Sequence, residues 1–454
     1  MIGRTNVASG GSKIDELIEQ YQVLTGENVS AGDFVEFIGN YNIEDSVNLN
    51  NTSYSGMNLS AVKLDDTHVF IAHNADGSSG TSTRLYGIVC SISNGTITAG
   101  TDTKLSNTTY GGEKISASAL SESRVFIAHS GDGANSSSKL YGIVCFITNN
   151  EITTIGTDTK LSDIGWSGSY ISCAGFTSAV AFVCHRTSNN YLYGIKCSLS
   201  GTSITIGTDT QLNSTNYGAV NPSMVKLDNT HVFIAHGGGS TGQYNVLYGL
   251  ACYVQYSTIT AGTDGVLSGT EYSGDYISAT ALSSSKIFIA HSGGGNNDLK
   301  KLYGIIREYE DINIYTNGTD TLICNEEYSG YNVSASNLSS SKIFVSHNAK
   351  FSLGDGGILY GTATEIDGLN IVKKISKKIS DYSSSASYIS ASALTNNEIF
   401  VANSQSTKLY GNAIGIGNSI IATKTITNSS QTINGVAKTG GTGGQTIDVY
   451  VPNI

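Results

Sequence analysis

Apolar residues in this chain come in short runs bounded by Gly, Ser, Asn and Asp, and the runs have strand length. Four such segments recur in a fixed order. The first is a strand of small residues, as in YISATAL and KISASAL, with a serine in every copy: Ser60, Ser116, Ser172, Ser223, Ser278, Ser334 and Ser390. The second carries a phenylalanine (Phe70, Phe126, Phe182, Phe233, Phe288, Phe344, Phe400) and closes on His73, His129, His185, His236, His291 or His347, with Asn403 in the last copy. It alternates, so that in KIFVSH the imidazole of His347 shares a face with Ile343 and Val345. A variable loop of Gly, Ser, Asn and Asp follows, then a third strand opening on Leu-Tyr-Gly. The fourth, such as TITAGTDTKL, carries Gly-Thr-Asp at Asp102, Asp158, Asp209, Asp264 and Asp320, and lacks it in the sixth copy, IVKKISKKI.

The Leu-Tyr-Gly tyrosines, Tyr86, Tyr141, Tyr193, Tyr248, Tyr303, Tyr360 and Tyr410, are separated by 55, 52, 55, 55, 57 and 50 residues. A near-constant period of this size signals a repeat architecture. Four short antiparallel strands repeated seven times predict an all-β fold, a seven-bladed β-propeller of four-stranded antiparallel blades. VNLNNTSY (47–54) aligns with the end of a fourth strand, TKLSNTTY (103–110), so an N-terminal strand at about 41–49 is expected to complete the last blade, with 419–426 as the competing candidate. The expected organisation is residues 1–38 as an N-terminal helix and β arm, 39–415 as the propeller, and 416–454 as a C-terminal β segment. Ile14, Leu17, Ile18 and Tyr21 stand at helical spacing, and NVSAGDFVEFI (28–38) reads as a hairpin around Ala31-Gly32-Asp33. The two ends together are expected to form a small β module.

Composition narrows the function. Only 13% of residues are charged, with a net charge of −11, so no basic patch is available to displace counterions from nucleic acid. No apolar run is long enough to span a bilayer, and the first residues carry no apolar core of a signal peptide. Cys90, Cys145, Cys197 and Cys252 repeat once per unit, too far apart for a disulfide, and read as small buried thiols of a reducing compartment. No CxxC or CxxH spacing suggests a metal, and neither a metal nor a cofactor is expected.

Candidate chemistry divides into what repeats and what does not. The histidines sit one per repeat and read as hydrogen-bonding staples, and the Gly-Thr-Asp carboxylates as turn or bulge partners of backbone amides. An aromatic column (Tyr54, Tyr110, Trp166, Tyr217, Tyr272, Tyr328, Tyr382) precedes each first strand. The loops between second and third strands emerge on the same face. Flat rings beside hydroxyls and amides suit sugar or protein surfaces. Candidate receptor-binding residues are therefore Trp166, the only tryptophan, with Tyr54, Tyr110, Tyr272 and Tyr328, and the loop residues Asp76, Asp132, Asn296, Asn297 and Asp355. No Gly-x-Ser-x-Gly, phosphate loop or sialidase box is present, so no catalytic residue is assigned and the chain reads as a non-enzyme.

The unit YISATALSSSKIFIAHSGGG…KLYGII, followed by NIYTNGTDTLI, resembles repeats of bacteriophage tail-fibre and tail-associated β-propellers, over roughly residues 40–415. NVSAGDFVEFI and GVAKTGGTGGQTIDVYVP resemble terminal modules of phage tail proteins from low-GC Gram-positive hosts, and are similar to the small β fold of capsid-decoration proteins. The resemblance implies a receptor-binding protein of a phage, or a phage-tail-like bacteriocin, at the tail tip or baseplate of the virion. It would be homotrimeric, with a host surface glycan or surface-layer protein and other tail proteins as partners. A glycan-degrading tail enzyme and a bacterial surface lectin or adhesin are the alternatives.

Overall fold

The computed structural model describes residues 41–416 apart from 51, 53–54, 57, 76–82, 109–110, 133–137, 166, 214–219, 239–245, 256–257, 295–299, 316–317, 327–328, 350–356, 381–387 and 406. Outside that range it describes only the backbones of 17–23, 28–29, 34–38, 420–423, 435–437, 441–442 and 446–451. The chain divides into two compact units, 43–415 and the paired ends 1–42 with 416–454.

The larger unit is a seven-bladed β-propeller. Blade I runs Leu59–Asp65, His68–Ala75, Arg84–Ser93, then a fourth strand split into Thr96–Ala99 and Thr103–Lys104. Blades II to V repeat this plan, split included. Gly-Thr-Asp occupies the split. In blade VI, which lacks the tripeptide, the fourth strand Asn370–Lys378 runs without interruption. Blade VII takes its three inner strands from Ile389–Thr395, Glu398–Gln405 and Lys408–Ile416. Its outer strand comes from the other end of the chain, with Asn48 opposite Tyr410 and Val47 opposite Gly411. The N-terminal strand closes the ring; Ile420–Thr423 belongs instead to the second unit.

Each blade is cemented by the residues that repeat. The seven phenylalanines and the leucine of every Leu-Tyr-Gly are buried to 1% exposure or less. The motif's glycine is needed because the phenylalanine ring occupies the space a side chain would take. A Cβ on Gly194 would stand 2.5 Å from Phe182 Cζ, and one on Gly361 would stand 2.4 Å from Phe344 Cζ. The seven cysteines are free and buried, and burial pushes Cys90, Cys145, Cys197 and Cys252 up to about 12, so these thiols are inert.

The serine column joins the blades. The Oγ of Ser60 accepts the backbone N–H of Ala117, Ser116 that of Cys173, Ser172 that of Met224, and Ser223 that of Ala279. Ser278 and Ser334 continue the series to Ala335 and Ala391, and Ser390 accepts from Ala61, closing the circle at 2.9–3.0 Å throughout. Innermost strands diverge from blade to blade and cannot pair as a sheet, so a short hydroxyl is the bridge that fits.

The second unit is a closed five-stranded barrel of Leu17–Val23, Ile420–Thr423, Phe34–Ile38, Gly435–Ala437 and Thr446–Val451. Two sequence expectations are corrected here. The helical spacing at 14–21 does not give a helix over its described part: Leu17–Val23 is a strand, antiparallel to Thr446–Val451. The described arms of the expected hairpin also find partners elsewhere. Asn28–Val29 pairs with Gly441–Thr442, and Phe34–Ile38 pairs with Ile420–Thr423 and Gly435–Val436. In both cases a segment from the other end of the chain supplies the ladder, and such pairing overrides local pattern.

Candidate functional site

In every blade the start of the first strand lies opposite the end of the second, as Ile115 opposite His129 shows. The histidines, the second-to-third-strand loops and the approaches to the first strands therefore share one face. The histidines beneath it are wholly buried fasteners. The Nε2 atoms of His73, His129, His185, His236 and His291 lie 2.9–3.1 Å from Oδ1 of Asp102, Asp158, Asp209, Asp264 and Asp320, across the blade. Each Nδ1 faces the carbonyl of the following residue, at 2.7–3.4 Å. A carbonyl only accepts and an ionised carboxylate only accepts, so each ring nitrogen faces an acceptor and the imidazole is held from both sides.

The second carboxylate oxygen ties the preceding blade. Asp102 accepts from Asn50 and Thr52, Asp158 from Ser106 and Thr108, and Asp320 from Ser268 and Thr270. Burial alone would raise these carboxyls, but the histidine bond, its charge and the other donors outweigh it: Asp102 and Asp158 lie below the usual range, and Asp320 falls to about 2. The expected backbone-amide partners of Gly-Thr-Asp are replaced by a histidine on one side and side-chain donors, chiefly hydroxyls, on the other. The tyrosine of Leu-Tyr-Gly packs on the same imidazole, with ring centroids 5.8–6.1 Å apart in blades I to VI.

Of the candidate receptor-binding residues, two are among the described residues. Asp132, at φ 58°, accepts the hydroxyl of Tyr141 and stands 3.9 Å from Lys160 Nζ. Tyr272, at φ 61°, belongs to a cage around Lys300, whose ammonium lies 5.5 Å from the rings of Tyr272 and Tyr276, 5.3 Å from that of Tyr331, and 2.5 Å from Asp275. The remaining candidates, Trp166, Tyr54, Tyr110, Tyr328, Asp76, Asn296, Asn297 and Asp355, lie outside the described residues.

The structure adds a group that stacking the repeats passed over. Two residues before each ring serine stand Asn58, Lys114, Tyr170, Asn221, Tyr276, Asn332 and Tyr388, around the axial mouth. The column keeps no single residue, whereas the serines two places along are invariant. Asn221 and Asn332 have φ of 47° and 48° at irregularities in the first-strand pairing of blades IV and VI. Asparagine tolerates this left-handed backbone, and such bulges re-aim a side chain. The mouth opens into a cup of about 210 Å³. Asn58, Lys114, Tyr170, Asn221 and Tyr388 form its rim; Leu59, Ile115, Ile171, Pro222 and Ile277, one residue further along each strand, line it with apolar groups. Loss of surrounding water lowers the Lys114 ammonium, with Glu113 acting the other way, and burial raises the Tyr276 and Tyr388 phenols. At the opposite end of the axis a cavity of about 380 Å³ is lined by Lys63, Asp66, Asn337 and 393–397. There the cation is already engaged, since Lys63 pairs with Asp66 and donates to the Leu394 carbonyl.

No family model matches this chain, and no curated protein matches it. Solved structures do. A protein of unknown function from Dyadobacter fermentans is 12% identical, with a TM-score of 0.47, over 84% of this chain and 99% of that one. AofleA from Arthrobotrys oligospora is 9% identical, at 0.44, over 78% and 97%. The Aleuria aurantia lectin, a six-bladed β-propeller with a fucose recognition mode, is 13% identical, at 0.40, over 71% and 96%.

Proposed function

We propose that this chain is a non-enzymatic attachment protein, the receptor-binding component of a phage tail tip or baseplate or of a phage-tail-like particle. Its loop-bearing face engages the surface of a bacterial host. The observation that carries this reading is the contrast between a scaffold repeated blade after blade and a mouth in which asparagine, lysine and tyrosine change from blade to blade. Rigid presentation of differing side chains is what recognition needs, and aromatic rings beside amides suit a hydroxyl-rich surface. Two carboxylates of this face, Asp132 and Asp275, are engaged by a tyrosine hydroxyl and a lysine, which suits a scaffold role for both. The paired ends serve as the assembly module that joins the propeller to other tail proteins, as a trimer. The test is adsorption of the purified chain to low-GC Gram-positive cells before and after removal of surface protein or surface glycan. Binding lost on one treatment identifies the receptor class. Absence of adsorption across the panel overturns the attachment reading.

A further inference from the structure

The axial cup is a cavity of the loop-bearing face with fully described walls, and its chemistry is amphipathic in a specific way. The inner wall is aliphatic, contributed by Leu59, Ile115, Ile171, Pro222 and Ile277. The rim is amide, phenol and a single ammonium, from Asn58, Asn221, Tyr170, Tyr388 and Lys114. At about 210 Å³ the cup lies below the range of roughly 300–1,000 Å³ usual for drug-sized ligands, so it admits one compact group and not a chain segment. Two rim positions are fixed by contacts made elsewhere. The Asn221 amide donates to the Asp275 carbonyl, and the Tyr170 ring lies 5.2 Å under the Arg186 guanidinium. Their orientation is set before any ligand arrives.

We propose that this cup is a binding site for one terminal acetamido sugar, an N-acetylated hexosamine, seated on the propeller axis. The acetamido methyl is the apolar element that the aliphatic wall would cover, and the amide and ring hydroxyls are the groups that asparagine, tyrosine hydroxyl and lysine can bond. A plain hexose leaves the wall uncovered, and an alkane leaves the rim unpaired, which is costly on either side. Because seven first strands share a single mouth, the site exists once per chain. A site built from repeated elements would occur once per blade. This inference rests on reading the loop-bearing face as the recognition surface, and it adds the ligand class and the stoichiometry.

The experiment is a calorimetric titration of the full chain with N-acetylglucosamine and N-acetylgalactosamine, and with glucose and galactose as the parent sugars. The expected result is saturable binding at one site per chain in the millimolar range, at least tenfold tighter for the acetamido sugars. One buried methyl in an apolar pocket is worth roughly 10–200-fold, which sets that threshold. Tyr388→Ala and Lys114→Gln, each checked for an unchanged melting temperature, should weaken the affinity at least tenfold. Lys63→Ala, at the opposite end of the axis, should not. If Tyr388→Ala fails to fold, Lys114→Gln carries the test, because that change removes the charge at the rim and leaves a polar side chain in its place. Equal affinity for the parent hexoses, a stoichiometry near one per blade, or no saturable binding by any of the sugars overturns the proposal. A chain that adsorbs to cells yet gives one of those results loses the ligand assignment alone. A chain that binds the sugar yet ignores every cell type loses the attachment reading alone.

Discussion

Blades V and VI are neighbours built on one plan, and they differ by a tripeptide. In blade V, Gly318-Thr319-Asp320 interrupts the fourth strand, and Asp320 faces His291 at 3.1 Å, forming an ion pair in the core. In blade VI the strand Asn370–Lys378 is continuous, and His347 meets the Thr362 hydroxyl at 2.9 Å, which in turn meets Ser376 at 2.7 Å. Burial without a counter-charge pushes His347 down to about 4. The same residue in the same fold position thus faces a carboxylate in one blade and a hydroxyl in the next, and the fourth strand decides which. The change extends to the blade before. Ser268 donates to Asp320, but Cys324, its counterpart facing blade VI, has no carboxylate to serve. Donor and acceptor are both absent at this junction. Blade VII goes further, replacing the histidine by Asn403, which bonds Asn412, which bonds Ser46.

The comparison breaks most sharply at Asp320. Asp320→Asn would remove the carboxylate that buried His291 faces, and a loss of about 3–5 kcal/mol in urea unfolding is expected. The matching change in blade VI, Ser376→Ala, removes one neutral hydrogen bond and should cost about 1 kcal/mol. Equal costs would mean that blade V is not ionic.

Acid should separate the two blades by window. His347 has a folded value near 4 against an unfolded value near 6.5, so between those limits the unfolded chain binds the extra proton. Stability should therefore be complete above about pH 6.5 and fall by about 3 kcal/mol as pH drops towards 4. Asp320 has the depressed carboxylate: its contribution is present above about pH 3.9 and is lost as pH falls through about 2. Chemical denaturation across this range should show both steps. His347→Asn, the solution blade VII already uses, should abolish the first and leave the second; a persisting first step would place it elsewhere.

Smaller effects test the ring and the face. Ser390→Ala removes the bond that closes the serine circle and should cost about 1 kcal/mol, measured as a shift in the unfolding midpoint. A loss well above that figure would show the seven bonds to be cooperative. Trp166→Ala should change stability by less than about 0.5 kcal/mol while reducing adsorption to cells. Adsorption equal to that of the parent chain would remove Trp166 from the recognition surface.

Much of this was legible without coordinates, because the determinants are columns. Phe70 and its copies, Gly87 and its copies, and the ring serines repeat for packing reasons, and a repeated cause leaves a repeated letter. Two features have no repeated letter. At Leu17–Val23 the pattern fits a helix as well as a strand, and the deciding partner, Thr446–Val451, lies at the far end of the chain. At the mouth, Asn58, Lys114 and Tyr170 differ from blade to blade, and their variability is itself the signal. They form a variable polar column two places from an invariant one.

The strand exchange in blade VII also sets a timetable. Ser46 and its partner Asn412 stand 366 residues apart, so one emerges from the ribosome well before the other. At 5–20 residues per second the gap is roughly 20–70 s, against the microseconds to milliseconds in which hairpins and small domains form. Throughout that interval blades I to VI can assemble as an open arc, while the outer strand of blade VII must stay extended and avoid other partners. Its sequence, YNIEDSVN, meets that need with two acidic residues and few large apolar ones, the composition that discourages edge-to-edge association. The first strand of the ring to be made is the last to be used.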